Sequence, residues 1–254
     1  VTEPQTHPVG VELLDARRLR LVPTVAPRVS PEHELAMNRV WDEAVKANPS
    51  LFDGPVAACT RLDWEAPGCM VLSWTGVTYR HYALRRVPEA RAAALPSLFV
   101  TVVQPTDEGA LLVGQMSAST AAPGRWQLPG GSVEPPEGRE VLDEAALRRH
   151  AARELAEETG VNTAPDDLTL WVVTRGGNGS IGVFYRAPSR PASVLRERFS
   201  ALVSAEQTRG RDPEFREVAL VRSPADLSDL AGPQVDYLGP VVRRFAEALI
   251  HPGA

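Results

Sequence analysis

Lysine is almost missing from this chain. Of its 27 basic residues only Lys46 is a lysine, and the rest are arginines. Codon usage in an AT-poor genome accounts for that ratio without a functional cause. Cysteine is nearly as scarce: Cys59 and Cys69 form neither a CxxC pair nor a disulfide framework. That excludes a disulfide-built scaffold and makes a reducing, cytoplasmic compartment the expectation. No apolar run approaches the roughly 20 residues needed to span a bilayer. The opening VTEPQTHPVG lacks the basic-then-apolar pattern of a signal peptide. Positive charge is in deficit, with a net charge of −5, so the chain has no global basic footprint for nucleic acid. An anionic substrate stays open, because a bound divalent cation supplies positive charge locally.

What is present suits an ordinary globular protein. The 254 residues are 43% hydrophobic and 23% charged, enough for one large domain or a core domain with an added subdomain. Two short strands are expected in VGVELL (9–14) and RLRLV (18–22). A helix follows from Ser30, with Ser30 as N-cap, Pro31 at N1, Glu32 and Glu34 in the first turn, and an apolar face of Leu35, Met37, Val40, Trp41 and Val45. Residues 56–84 alternate like strands, interrupted by DWEAPG, and a short helix spans 88–94. After a candidate boundary near Leu95–Pro96, SLFVTVVQ and ALLVGQMS flank PTDEG as a hairpin signal. GRWQLPGG is a loop or short strand, residues 143–158 form a helix, and LTLWVVTRG and IGVFYRA are strands. ASVLRERFSALVSAEQ is helical, FREVALVR is a strand, and YLGPVVRRFAEALI closes as a helix.

The segment RRHAARELAEETGV (148–161) is an alanine-rich helix with an unusual charge pattern. Residues three and four apart share a helix face, so Glu154, Glu157 and Glu158 lie together. Uncompensated, they repel by a few tenths of a kcal/mol per pair, and two of them sit in the last turn, where the helix dipole disfavours negative charge. A hard divalent cation removes both penalties, since Mg²⁺ prefers carboxylate oxygens. On its own, ExxEE on a helix reads as a solvated acidic face. The surroundings change that reading. LPGG (128–131) and SVEPPE precede the helix, and Gly160 fits the position that ends it. The expected helix start is Asp143 as N-cap or Glu144, with Leu142, Ala146, Leu147, Ala151 and Leu155 as the buried stripe.

Here the sequence resembles the Nudix hydrolase family, whose box is G-x5-E-x7-R-E-U-x-E-E-x-G-U with U aliphatic. Gly131 and Glu137 match its first part; Arg153, Glu154, Leu155, Glu157, Glu158, Gly160 and Val161 match its second. The spacing departs from the family between Glu137 and Arg153, where fifteen residues stand in place of seven. Glu144, one residue off the family distance to Arg153, is the rival for the first Glu. The resemblance covers about residues 97–221. It implies an α/β (α+β) fold, an α/β/α sandwich around a mixed sheet, with residues 96–254 as the Nudix domain and 1–95 as an N-terminal α+β extension. It implies hydrolysis of a phosphoanhydride in a nucleoside diphosphate derivative, with Mg²⁺ or Mn²⁺ as cofactor. Glu154, Glu157 and Glu158, with a backbone carbonyl at Gly130 or Gly131, would hold the metal. Arg153 would orient the carboxylates. Glu214 is the candidate for a further base or ligand from a later loop, with Glu217 second. The implied partner is a small-molecule nucleotide, with no nucleic acid and no membrane, and a homodimer is left open.

The N-terminal half is similar to a smaller Nudix subgroup, the UDP-glucose/UDP-galactose pyrophosphatases. Residues 48–55 (NPSLFDGP), residues 78–82 (TYRHY) and the lengthened box carry that likeness. It implies cleavage of a UDP-sugar to UMP and a sugar 1-phosphate. ADP-ribose, dinucleotides and nucleoside triphosphates are the alternative substrates, and a nucleotide-sugar-sensing regulator is the non-enzyme alternative. Against the regulator, the helix carboxylates are intact and the N-terminal half has no basic recognition helix. Tyr79 and Arg80 are candidates for stacking on a base and gripping phosphate. Trp41 and Phe52 read as core residues, and His81 as structural or exposed. TRGGNGSIG (174–182) either lines a sugar pocket or simply turns the chain.

Overall fold

The computed structural model describes residues 10–250; the expected start of the first strand at Val9 lies outside them. In chain order the elements are β1 (Glu12–Leu14), β2 (Arg18–Pro23), α1 (Pro31–Ala47), β3 (Pro55–Ala66), β4 (Cys69–Thr78), β5 (Leu98–Val103) and β6 (Leu111–Met116). They continue with β7 (Trp126–Gln127), β8 (Gly130–Ser132), α2 (Glu144–Thr159), β9 (Thr169–Arg175), β10 (Ile181–Arg186), α3 (Ala192–Thr208), β11 (Phe215–Val221), α4 (Pro224–Ser228) and α5 (Leu238–Ile250).

Three sheets result. A mixed five-stranded sheet runs β1-β9-β10-β5-β8, with β5 and β10 parallel and the other pairs antiparallel. A second sheet is β11-β6-β7, and a third is β2-β4-β3. Strand side chains alternate between faces, and β10 shows the consequence. Val183 and Tyr185 join the core under α2 with Leu147, Ala151 and Leu155, while Phe184 joins the core under α5 with Leu238, Val241 and Phe245. The mixed sheet is thereby covered by helices on both faces, the α/β/α sandwich expected from the sequence.

The box helix forms as its sequence dictates. Asp143 is the N-cap, its side chain accepting the Ala146 N–H at 2.7 Å. Gly160 closes the helix in the left-handed region, at φ 73°, a conformation that costs a residue with a Cβ about 1–2 kcal/mol. Leu142, Leu147, Ala151 and Leu155 are buried and Ala146 packs beside them.

Several expectations fail for identifiable reasons. The turn between SLFVTVVQ and ALLVGQMS does form, with Thr106 N–H donating to Ala110 O and Leu112 N–H to Gln104 O. Its two strands then part into different sheets, because β5 pairs with β8 and β10 while β6 pairs with β7 and β11. The DWEAPG interruption shrinks to a turn at Pro67 and Gly68. The strand pattern to Leu84 stops at Thr78, where a 3-10 helix, Tyr79–Arg86, begins; its start is fixed by Asp53 Oδ1, which accepts the Arg80 N–H at 2.8 Å. In α1 only Met37 is buried, packing with Leu84, Val87 and Ala90, and Leu35 points to solvent. Phe52 is not a core residue: it is 80% exposed, on the loop after α1, and its ring lies over Gly54.

Residues before Leu95 are tied closely to those after it. β1 is an edge strand of the mixed sheet. Ala57 N–H donates to Val133 O and Cys59 N–H to Pro96 O. Leu19, Met70, Leu72 and Trp74 share one core with Val100, Leu147 and Leu155.

Because Asp143 alone caps the first turn of α2 by its side chain, Asp143→Ala is expected to lower unfolding free energy by about 1 kcal/mol in urea denaturation, and Asp143→Ser to retain most of the wild-type value.

Candidate active site

The site is built on the meeting of α2 with the short strand β8. Glu158 is fully buried. Its Oε2 accepts the Gly130 N–H at 2.7 Å, and its Oε1 has no hydrogen-bond partner. Gly130 is required there, because a Cβ would lie 2.1 Å from the Val100 carbonyl oxygen across the strand pair. Burial pushes the Glu158 carboxyl well above the ordinary range, and the nearby carboxylates of Glu214, Glu154 and Glu157 push it further. Glu214, just before β11, is raised as well, first by partial withdrawal from water and then by Glu154 and Glu157. Much of its surface still meets solvent, so the effect of withdrawal is smaller than at Glu158. Glu154 stands beside Gly131, where a Cβ would lie 2.8 Å from its carboxylate. His150 Nε2 is 2.7 Å from Glu154 Oε1.

The helix carboxylates, Glu214 and Gly131 therefore share one neighbourhood without closing on a single point. Of the remaining sequence candidates, Tyr79 lines a cavity beside them and the others are placed or engaged elsewhere. Arg153 is exposed and reaches Glu134 at 3.6 Å rather than a helix carboxylate. Glu137 lies on an exposed loop. Glu144, at the first turn of α2, accepts the Leu19 N–H at 3.0 Å and so ties β2 to the helix. Glu217 pairs with Arg216 at 3.1 Å. His81 is buried and accepts the Leu95 N–H, a structural bond.

Beside the carboxylates opens a cavity of about 640 Å³ lined by Gly130, Gly131 and Glu214. Leu51, Phe52, Tyr79 and Tyr82 from the N-terminal half form part of its wall, and Arg85 and Arg125 add positive charge. Tyr79 and Tyr82 meet edge to face, and the Arg85 guanidinium lies 4.8 Å from the centre of the Tyr82 ring. From TRGGNGSIG, Asn178 and Ser180 line the cavity, as does Asp236. Arg80 does not: its Nε is 3.3 Å from Asp53 Oδ2, which makes it a brace for the loop that carries Phe52. Sequence reasoning missed Arg85, Arg125 and His150. Only His150 left a signal, its four-residue spacing from Glu154.

The donor set fits a hard divalent cation. It consists of carboxylate oxygens, one of them buried without a partner, and buried anions are stable only when paired or neutralised. Among the described residues no three His, Cys, Asp or Glu side chains already converge as a finished cage.

The raised Glu158 pKa has a stability consequence. A carboxyl whose folded pKa exceeds its unfolded value stabilises the fold below the unfolded value, near 4.5, and loses that contribution as pH rises through the folded one. In metal-free protein, Glu158→Gln should therefore be more stable than wild type at neutral pH. The difference should shrink as pH falls toward 4.5, measured by thermal melts in EDTA.

Comparison with known proteins gives the family. The NUDIX domain matches residues 96–245, more than half of the chain. No curated protein matches. Among solved structures, the MutT protein of Methanosarcina mazei Go1 is 21% identical over 61% of this chain and 96% of its own, with a TM-score of 0.40. The NUDIX domain of Shewanella oneidensis NrtR, solved with ADP ribose, is 20% identical over 61% of this chain and 88% of its own, with a TM-score of 0.39. The ORF135 protein of E. coli is 19% identical over 62% and 94%, with a TM-score of 0.37. With the NUDIX domain spanning residues 96–245, this chain belongs to the Nudix hydrolase family, whose members cleave pyrophosphate bonds in nucleotide derivatives.

Proposed function

We propose that the protein hydrolyses the pyrophosphate bond of a nucleoside diphosphate sugar, with a UDP-sugar as substrate and UMP and a sugar 1-phosphate as products. The observation that carries this reading is the shared wall of the cavity. Glu214, Gly130 and Gly131, which adjoin the carboxylates of α2, line the same space as Phe52, Tyr79 and Tyr82 from the N-terminal half. A pocket of about 640 Å³ is in the range of small-molecule sites and holds more than a phosphate chain. Aromatic rings offer a stacking surface for a base, and Asn178, Ser180 and Asp236 offer hydrogen bonds to hydroxyls.

Glu154, Glu157 and Glu158, with the Gly131 backbone, would hold Mg²⁺ or Mn²⁺. When bound, the cation supplies charge neutralisation at the diphosphate and acidifies water. Arg85 and Arg125 bind the phosphate oxygens. Arginine suits this task by its planar set of donors. Glu214, raised in pKa and open to the cavity, takes the proton from the attacking water. Partial withdrawal from water, and then the carboxylates of Glu154 and Glu157, make it a better proton acceptor than a free glutamate. Phe52, 80% exposed on a loop braced by the Asp53–Arg80 pair, covers the base. Cys59 and Cys69 are both free thiols, which suits a reducing, cytoplasmic setting. No helix among the described residues is long and apolar enough to cross a membrane.

The test is a product-resolved hydrolysis screen over UDP-sugars, ADP-ribose, dinucleotides and nucleoside triphosphates with Mg²⁺ and Mn²⁺. UDP-glucose should be cleaved to UMP and glucose 1-phosphate. Turnover of ADP-ribose or triphosphates well above UDP-sugars would reject the sugar nucleotide and leave the hydrolase standing. Glu154→Gln and Glu158→Gln should each lower turnover by about 10²-fold or more with folding retained; undiminished turnover of the double variant in EDTA would reject the metal role.

A further inference from the structure

His150 sits one turn before Glu154 on α2, in the buried part of the helix. Its side chain is 8% exposed and that of Glu154 16%, and Nε2 lies 2.7 Å from Oε1. An ionised carboxylate only accepts hydrogen bonds, so Nε2 carries the hydrogen and donates it. On its other side the Glu154 carboxylate is backed by Gly131, where even a methyl group would stand 2.8 Å away. The carboxylate is therefore held between an imidazole donor and a bare strand backbone. Arg153, to which the family resemblance gives the orienting task, is exposed and extends to Glu134 at 3.6 Å instead. Glu134 lies between Gly131 and Glu137, ahead of the lengthened stretch.

We infer that His150, and not Arg153, is the positioning residue that fixes the Glu154 carboxylate for cation binding. This rests on the reading that Glu154 holds the cation. Groups that orient a metal ligand from behind typically matter 10–100-fold in metal affinity or activity.

The experiment measures Mn²⁺ dissociation constants by electron paramagnetic resonance on the full chain without substrate. The proteins are wild type, His150→Phe, His150→Ala, His150→Gln, Arg153→Gln and Glu154→Gln, each with a thermal melt to establish folding. Glu154→Gln, His150→Phe and His150→Ala should each weaken Mn²⁺ binding by about tenfold or more. His150→Gln, which restores a donor at the same reach, should recover most of that loss, and Arg153→Gln should weaken binding less than His150→Phe. In steady-state kinetics at saturating Mg²⁺, His150→Phe should lower kcat while KM stays near wild type. If His150→Phe fails to fold, His150→Ala and His150→Gln carry the comparison. Wild-type Mn²⁺ affinity in folded His150 variants, with Glu154→Gln weakened, overturns the inference alone. An Arg153→Gln loss equal to or larger than that of His150→Phe does the same. Unchanged Mn²⁺ affinity in Glu154→Gln overturns the cation reading and this inference with it.

Discussion

A carboxylate kept inside the protein is the constraint on which the site depends. Glu158 has no exposed surface, and burying an unpaired ionised group is so costly that it either finds a partner or takes up a proton. One oxygen is held by the Gly130 amide and the other by nothing in the polypeptide. Much of the local architecture serves to bring that amide to that oxygen. β8 pairs with β5 closely enough that residue 130 has to be glycine. Asp143 and Gly160 fix where α2 begins and ends. A slip of one residue along the helix would turn Glu158 by about 100° and move its carboxylate away from Gly130. Glu154, Glu157 and Glu214 then surround it with like charge, an arrangement that costs energy as it stands and favours a cation.

The second constraint is how the N-terminal half attaches. β1 extends the mixed sheet, Ala57 and Cys59 bond to Val133 and Pro96, and Glu144 bonds to Leu19. The residues of β2 and β4 that face inward share the core beneath α2. The cavity wall carrying Phe52, Tyr79 and Tyr82 is thus fixed to the strands and helix that carry the carboxylates. The aromatic wall and the carboxylates belong to one packed body.

The legible parts of the sequence were those governed by local chemistry. Caps at Ser30 and Asp143, the glycine ending α2, and the 3.6-residue stripe of Leu147, Ala151 and Leu155 follow from side chain and backbone within a turn or two. The cluster of Glu154, Glu157 and Glu158 was legible for the same reason. Long-range pairing was not. PTDEG makes its turn, yet β5 and β6 part because their partners lie elsewhere in the chain. Phe52 reads as core by composition and is 80% exposed on the loop after α1. The family resemblance gives Arg153 the task of orienting carboxylates, and residue type gives Arg80 that of gripping phosphate. Each is instead held by an acid nearby in space, Glu134 and Asp53, which no spacing rule announces. Arg85 and Arg125 carry no motif, and only the fold brings them to the cavity.

The central claim is that Glu158 Oε1, the buried oxygen without a partner, faces a cation beside the cavity. The most direct measurement is anomalous diffraction from crystals grown with Mn²⁺ and UDP. The account predicts an anomalous peak at coordination distance from Glu158 Oε1, about 2.0–2.3 Å, with Glu154 or Glu157 as a second ligand and UDP phosphate adjoining it. Mn²⁺ bound elsewhere, with Glu158 Oε1 still lacking a partner and UDP in the cavity, would contradict it.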